Sequence, residues 1–516
     1  LTSATVNGLT PYFERYGPIY RWLVISTTMM AAITVVLSST IVNVALPDIM
    51  GVFGIGQDQA QWMSTGFLAA MTGSMLLNAW LNEAVGVRAT FVGSLGLFAV
   101  ASVVGGLAPN ENVLTLARVV QGIAAGIVQP LAMIMIFRVF PPNERGRAMG
   151  IYGIGVVLAP AIGPALGGWL TDNFDWRWTF FMGLPTSIAG MLLGSVFLPT
   201  RFGDGKTRRF DFVGMALLIL FLVISLYAVA NGQREGWNSD LITALSWTGV
   251  ALLLAFVGWE LKAPEPLVNL AVFGISRYAA AAAVALIFGA GIYGSTYLVP
   301  LFVQTIQGYT PTRSGELLMP AGLILGVIFP IAGRLTDRLP AYVLIAIGLF
   351  IFGLSNLLLY DIDVNTGFWH LALLVAFGRI GLGVITPALN AGALSVLPPE
   401  MLAQGTGTIN FVRQLGGAFG VSLLSAAVEM RFAFHADALT ASQVDDNATM
   451  ELVNHVIGLD GRWGVPDTQT WAGAMDYLGK VLAAQAQNLA YGDGFALVGI
   501  VFWLGIMPAL WMHRKH

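Results

Sequence analysis

Apolar runs of about twenty residues, the length at which a helix crosses the hydrocarbon of a bilayer, recur along the whole chain between short polar connections. They fall at about 22–46, 60–81, 89–108, 113–136, 146–170 and 177–198, then 211–231 and 241–260, then 277–305, 312–333, 341–360, 367–391, 403–430 and 491–512. The pattern predicts an all-α integral membrane protein with fourteen transmembrane helices. Arg118, in the fourth run, is followed by Gly122 and, eleven residues on, by Gln129; Arg379, in the twelfth, is followed by Gly383 and, eleven on, by Asn390. Eleven residues are about three helical turns, so each arginine shares a stripe with an amide.

That weak symmetry divides the chain into a segment 1–21, a six-helix bundle over 22–198, two inserted helices over 211–260, and a second six-helix bundle over 277–430 and 491–512. Repeated halves are the usual architecture of secondary transporters, with the substrate site where the halves meet. The polar connection 431–490 carries Asp437, Asp445, Asp446, Glu451, Asp460 and Asp467. A helix-like run follows from about 470 to 489, with Ala474, Leu478, Val481 and Leu482 apolar. It reads either as a solvated cap or as a docking surface for an extracytoplasmic partner.

Composition sharpens the class. Of 516 residues 56% are hydrophobic and 10% charged, about half the charged share of soluble domains. With no cysteine, disulfides and thiol chemistry are excluded, and a net charge of -3 gives no reason to expect nucleic acid. Placing the N-terminus in the cytoplasm puts most loop lysines and arginines on that side, among them Arg15, Arg88, Arg201, Lys206, Arg208, Arg209, Arg334 and Arg338, so both termini are expected there. The first twenty residues show no removable signal pattern, and a chain opening at Leu1 reads as lacking its natural start.

Candidate chemistry lies in the few ionisable groups at membrane depth, which are costly there and default to function. Arg118, Arg379 and Arg413 qualify, and Asn410, Arg413, Gln414 and Gly417 fall on one polar face of the thirteenth run. Arg379, Arg413, Asn410 and Gln414, with Gln129 and Asn390, form the candidate substrate set, and Arg118 is a candidate for proton coupling. Each arginine could instead simply lock helices by pairing with carbonyls. Candidate proton carriers are Glu316, one turn into the tenth run, then Glu429 and Asp48, because a partly desolvated carboxyl can exchange protons near neutral pH. Three deep arginines favour neutral or anionic amphiphiles, such as fatty acids or uncoupler-like acids. Gly205-Lys206-Thr207 imitates the end of a phosphate loop without its first glycine, and no H-E-x-x-H, G-x-S-x-G or metal-ligand cluster occurs, so an enzyme, a metal site and ATP hydrolysis are not expected.

The stretch from Gly153 to Gly168 is the least ordinary. Gly155, Ala159, Gly163 and Gly167 recur every fourth residue, leaving a helix face almost without side chains, and Pro160 and Pro164 remove two amide donors. Such a helix suits close packing against a neighbour that satisfies the freed carbonyls.

Leu37-Ser38-Ser39-Thr40-Ile41-Val42-Asn43-Val44-Ala45-Leu46-Pro47 resembles the first-span motif L-D-x-T-I-V-N-V-A-L-P of the fourteen-span drug:proton antiporters of the major facilitator superfamily, the EmrB/QacA type. Leu114 to Pro130, with Arg118, Gln121 and Gly122, is similar to the span-four motif implicated in proton coupling. Gly155, Pro160, Gly163, Pro164, Gly167 and Gly168 resemble the span-five antiporter motif, and the segments 176–185 and 410–417 are also similar. Glu83 and Arg88, and Gly333, Asp337 and Arg338, stand in the loops after the second and tenth spans where the family gates. The resemblance implies a major facilitator fold, proton-coupled export by alternating access, no cofactor beyond the proton gradient, and a multi-pass place in a bacterial inner membrane. It also implies a periplasmic adaptor of the membrane fusion type and an outer-membrane channel. Two departures stand out: Ser38 replaces the family's acidic residue, and Glu83, Ala84 and Val87 replace its Asp and basic residues. A dedicated exporter of an endogenous metabolite or lipid would share every motif.

Overall fold

The computed structural model describes residues 9–141, 145–201, 210–336, 338–398, 401–443 and 467–513, with 451, 453–455, 457 and 458. Asp337, the basic run Lys206, Arg208 and Arg209, and Asp445, Asp446 and Asp460 lie outside them. Every one of the fourteen apolar runs is helical. In order they are α1 (Tyr20–Phe53), α2 (Trp62–Met75, continued by Leu77–Ala84), α3 (Val87–Gly106), α4 (Glu111–Val139), α5 (Arg145–Asn173), α6 (Gly183–Phe197), α7 (Phe212–Glu235) and α8 (Asp240–Glu260). Then come α9 (Ser276–Thr305), α10 (Pro311–Thr336), α11 (Ala341–Leu358), α12 (Phe368–Leu394), α13 (Leu402–Ala441) and α14 (Asp467–Leu504). Twelve helices among the described residues are long and apolar enough to cross a membrane; the divided α2 and α5 are the other two of the fourteen.

Local chemistry sets the ends. Asn110 caps α4 by accepting the Val113 amide at 3.0 Å, and Ser239 and Asp211 cap α8 and α7 in the same way. Gly54, Gly86 and Gly236 take positive φ where chains turn, the backbone region only glycine enters freely. On α7 and α8, Phe212, Trp247 and Leu254 remain exposed, as a face against lipid requires.

The helix pairs of the two halves correspond one for one. Where α1 packs on α5 and α6, α2 on α4, and α3 on α4 and α6, the second half packs α9 on α13 and α14, α10 on α12, and α11 on α12 and α14. The halves meet along α5 with α10, α2 with α13, and α1 with α9, and the pair α7–α8 lies against α13 and α2 through α7.

The segment 431–490 differs from a polar loop. α13 runs on through residue 430 to Ala441, and α14 begins at Asp467, so boundaries drawn at 430 and 491 fall inside continuous helices. Apolar patterning stops there but helix propensity does not, since the run is rich in Ala, Gln and Leu. Forty and 38 residues make helices of about 60 and 57 Å at 1.5 Å per residue, against roughly 30 Å of hydrocarbon. On the projecting end of α14, Ala474 and Leu478 pack with Val453 in a small apolar core. Asp493 of α14 ties the two helices by accepting from Arg431 at 2.5 Å and pairing with His435 at 2.7 Å, both on α13.

Candidate functional site

Arg118 is fully buried where α4 meets α1 and α2. Its Nε donates to the Met63 carbonyl at 3.0 Å, and its Nη1 donates to the Ser38 carbonyl at 3.2 Å, the Ser38 hydroxyl at 3.0 Å and Gln121 Oε1 at 3.0 Å. The Phe67 ring lies 4.2 Å below the guanidinium, and Gln121 passes the chain on to the Ser102 hydroxyl at 2.9 Å. Nη2 is buried without a partner. Ser38 therefore faces Arg118 from the position where the family motif carries an acid, and dipoles and a ring, not a carboxylate, hold this charge.

Arg379, its counterpart on α12, is also buried and donates to the Thr296 hydroxyl of α9 at 3.3 Å. In each half the arginine of the fourth helix thus bonds a hydroxyl of the first. Arg413 of α13 is half-buried beside Tyr293, and among the described residues its guanidinium makes no hydrogen bond or ion pair. The neighbouring Gln414 is fully buried and reaches across the halves to Gln129 Oε1 at 3.4 Å and Met71 Sδ at 3.8 Å, its own Oε1 staying free. Sequence reasoning placed Gln129 and Gln414 on separate helices; the fold brings them together. Asn410 instead donates to the Thr406 carbonyl of its own helix at 2.9 Å, and Asn390 is half-buried with no hydrogen bond to this group.

The acids lie elsewhere. Glu316 is exposed on α10 and makes no bond to Arg118. Glu429 and Asp48 are half-buried, each with one buried oxygen lacking a partner. Glu429 sits with Asp58, Tyr297 and Ser425, and Asp48 with Asp172 and Asp175, at the end of the bundle where α1 and α9 finish.

The span-five motif packs as its glycines imply. A Cβ at Gly163 would meet Leu37 and Thr40 at 3.0 Å, and one at Gly167 would meet Ile41, all on α1. A Cβ at Gly168 would strike the Pro311 carbonyl of α10, and one at Gly315 of α10 would strike the Pro164 carbonyl, so the two helices touch backbone to backbone across the halves. Asp172 accepts the Thr312 amide at 2.8 Å beside this contact. The surroundings of Gly155 and Pro160 lie outside the described residues.

Of the loop residues, Arg88 holds the start of α3 to the end of α6 through the Leu198 carbonyl at 2.8 Å and also bonds the Tyr12 hydroxyl. Glu83 is half-buried, Arg338 is exposed, and a Cβ at Gly333 would meet open space. Sequence reasoning missed the hydroxyl and amide partners Ser38, Ser64, Thr296 and Asn43 as site residues. Asn43 stands in the first-span motif, which was the one available signal.

Two corresponding six-helix halves with facing polar side chains define a multi-pass membrane transporter. The model of the Major Facilitator Superfamily matches residues 28–421, and the chain belongs to that superfamily, in its EmrB-type branch. The multidrug export protein EmrB of Haemophilus influenzae is 29% identical over 97% of this chain and 98% of its own length. EmrB of Escherichia coli is 31% identical over 81% and 83%, and a multidrug resistance protein B homolog of Mycobacterium tuberculosis is 31% identical over 81% and 78%. A bacterial homolog of the human lysosomal transporter Spinster, solved in an inward-facing and occupied conformation, superposes with a TM-score of 0.61 at 14% identity, covering 96% of this chain and 98% of that one. That likeness speaks for the fold.

Proposed function

We propose that this efflux transporter is a proton-coupled antiporter that exports lipophilic and amphiphilic compounds by alternating access, with neutral or anionic compounds preferred. The observation that carries the reading is the Arg413 guanidinium, half-buried beside Tyr293 of α9 with no counter-charge among the described residues, next in the chain to Gln414, which reaches across the halves. A cation held so favours an anionic or electron-rich group on its ligand and penalises a cationic one. Gln129 and Gln414 supply directional donors and acceptors, and Met71 an adaptable apolar wall.

For the proton, Glu429 and Asp48 each keep a buried oxygen that no donor occupies, while Glu316 is open to its surroundings. Proton exchange is assigned to Glu429 first, with Arg118 holding α1, α2 and α4 in register as a fixed charge. The inner membrane of a bacterium, with both termini cytoplasmic, is the proposed setting. The projecting ends of α13 and α14 then stand in the periplasm, where an adaptor leading to an outer-membrane channel would meet them.

Everted vesicles energised with a proton gradient and offered matched lipophilic anions and cations test the substrate reading: anion uptake is expected, and uptake of cations alone would overturn it. For the adaptor, joining residues 439 and 487 through a short turn is expected to abolish resistance in cells while transport by reconstituted protein persists. Loss of both would count against docking.

A further inference from the structure

A proline inside a helix leaves the carbonyl four residues earlier without its amide donor and pushes that carbonyl outward. Pro300 in α9 does this to Thr296, and Pro47 in α1 does it to Asn43, the residue before Val44. The two prolines belong to the first helices of the two halves, and these helices face each other. Across that contact Asn43 Nδ2 donates to the Thr296 carbonyl at 3.3 Å, supplying the donor that Pro300 cannot. In return Gln304 Nε2 donates to the Val44 carbonyl at 2.9 Å. Asn43 is buried and oriented by the Ser64 hydroxyl, which donates to its Oδ1 at 2.7 Å. Thr296 is held in turn: its hydroxyl donates to the Ile292 carbonyl at 2.6 Å and accepts from Arg379 at 3.3 Å.

We propose that Asn43 and Gln304 form a reciprocal latch, Asn43 engaging the carbonyl that Pro300 leaves without its amide donor and Gln304 a carbonyl in the turn before Pro47, which closes the end of the path where α1 and α9 finish. Neither bond lies within one half, so both break whenever the halves part at that end. The freed carbonyls then take water, which is available there only when the path is open, and the latch re-forms as water leaves. Arg379 is tied to the latch through Thr296, which gives a buried charge of the second half a direct mechanical link to the first. This rests on the alternating-access reading.

The absence of cysteine makes the test clean. Gln57 Nε2 and the Ser425 hydroxyl, 3.5 Å apart across the halves near the same end, are replaced by cysteines in the full chain in proteoliposomes, and the rate of bridging by a short bifunctional thiol reagent is followed. Asn43→Leu and Gln304→Met, each removing one hydrogen bond while keeping shape, are expected to slow bridging about fivefold, the factor equivalent to ~1 kcal/mol. Pro300→Ala restores the helix's own donor to Thr296 and is expected to slow it similarly. Because that substitution and Asn43→Leu remove the same bond, the two combined should do no more than either alone. Thr34→Cys with Thr186→Cys, on hydroxyls 2.7 Å apart within the first half, should bridge at an unchanged rate in every variant. A variant that slows both pairs is damaged throughout, and Pro300→Ala then decides. Unchanged bridging in the latch variants, or additive losses in the double variant, would overturn the latch. A wild-type rate indifferent to an imposed proton gradient, with the variants still slowed, would instead overturn proton-driven alternation and leave the latch standing.

Discussion

Arg118 carries its charge at full burial on one side-chain hydroxyl, one amide and two main-chain carbonyls, and this defines what its loss would do. Charge-assisted hydrogen bonds of this kind stabilise by about 1.5–3 kcal/mol each in net terms, and their partners here are buried with it. Arg118→Met is therefore expected to cost roughly 3 kcal/mol, read as a fall in the thermal unfolding temperature of the purified protein in detergent. Ser38→Asp places an anion where the family motif has one and is expected to shift transport toward lipophilic cations; an unchanged anion preference in the vesicle assay would count against the electrostatic reading. The arginines and glutamines were legible in the sequence because polar groups are scarce in apolar runs. Their hydroxyl partners were not. Thr27, Thr28, Thr34, Thr72 and Thr305 all bond carbonyls of their own helices, so a hydroxyl in a span carries no signal of a longer-range role. Glu316 illustrates the other limit. Its depth could be counted from the chain, but its exposure depends on the rotation of α10, which the packing at Gly315 fixes.

α5 and α10 make the most extensive contact between the halves, and glycine permits it. Gly168→Val and Gly315→Val each force a side chain into a backbone carbonyl of the opposite helix, which no rotamer change relieves. Both are expected to abolish export while Gly51→Ala, whose Cβ meets nothing within 4 Å, leaves it near wild type; growth under drug challenge at matched protein level reads this out. The four-residue glycine spacing was visible in the sequence, and so was the need for a close neighbour. Which neighbour was not, because a smooth face fits any helix that approaches it. The ends of α13 and α14 were missed for a related reason. Amphipathic periodicity reports burial, and where a helix leaves the membrane that report ends while the hydrogen-bonded backbone continues.

The whole molecule repeats one six-helix plan, and its corresponding helix pairs explain why two arginine stripes eleven residues from their amides could be seen in the sequence before any fold. What the repeat builds is a pair of halves joined chiefly along α5 with α10, α2 with α13 and α1 with α9, with polar groups of both meeting between them. The end where α1 and α9 finish is held by the amide–carbonyl pairs of Asn43 and Gln304, the Gln57–Ser425 contact and the Asp172–Thr312 bond. Opening there requires all of these to give way together, so energy must enter from a source that acts on both halves. Proton binding in exchange for substrate is the proposed source. Adding a lipophilic weak acid to the purified transporter in weakly buffered detergent solution, with the acid pre-equilibrated to the same pH, tests it most directly. Proton release from the wild-type protein that saturates with substrate and is lost in Glu429→Gln is expected; substrate binding without any proton release would contradict proton-driven exchange.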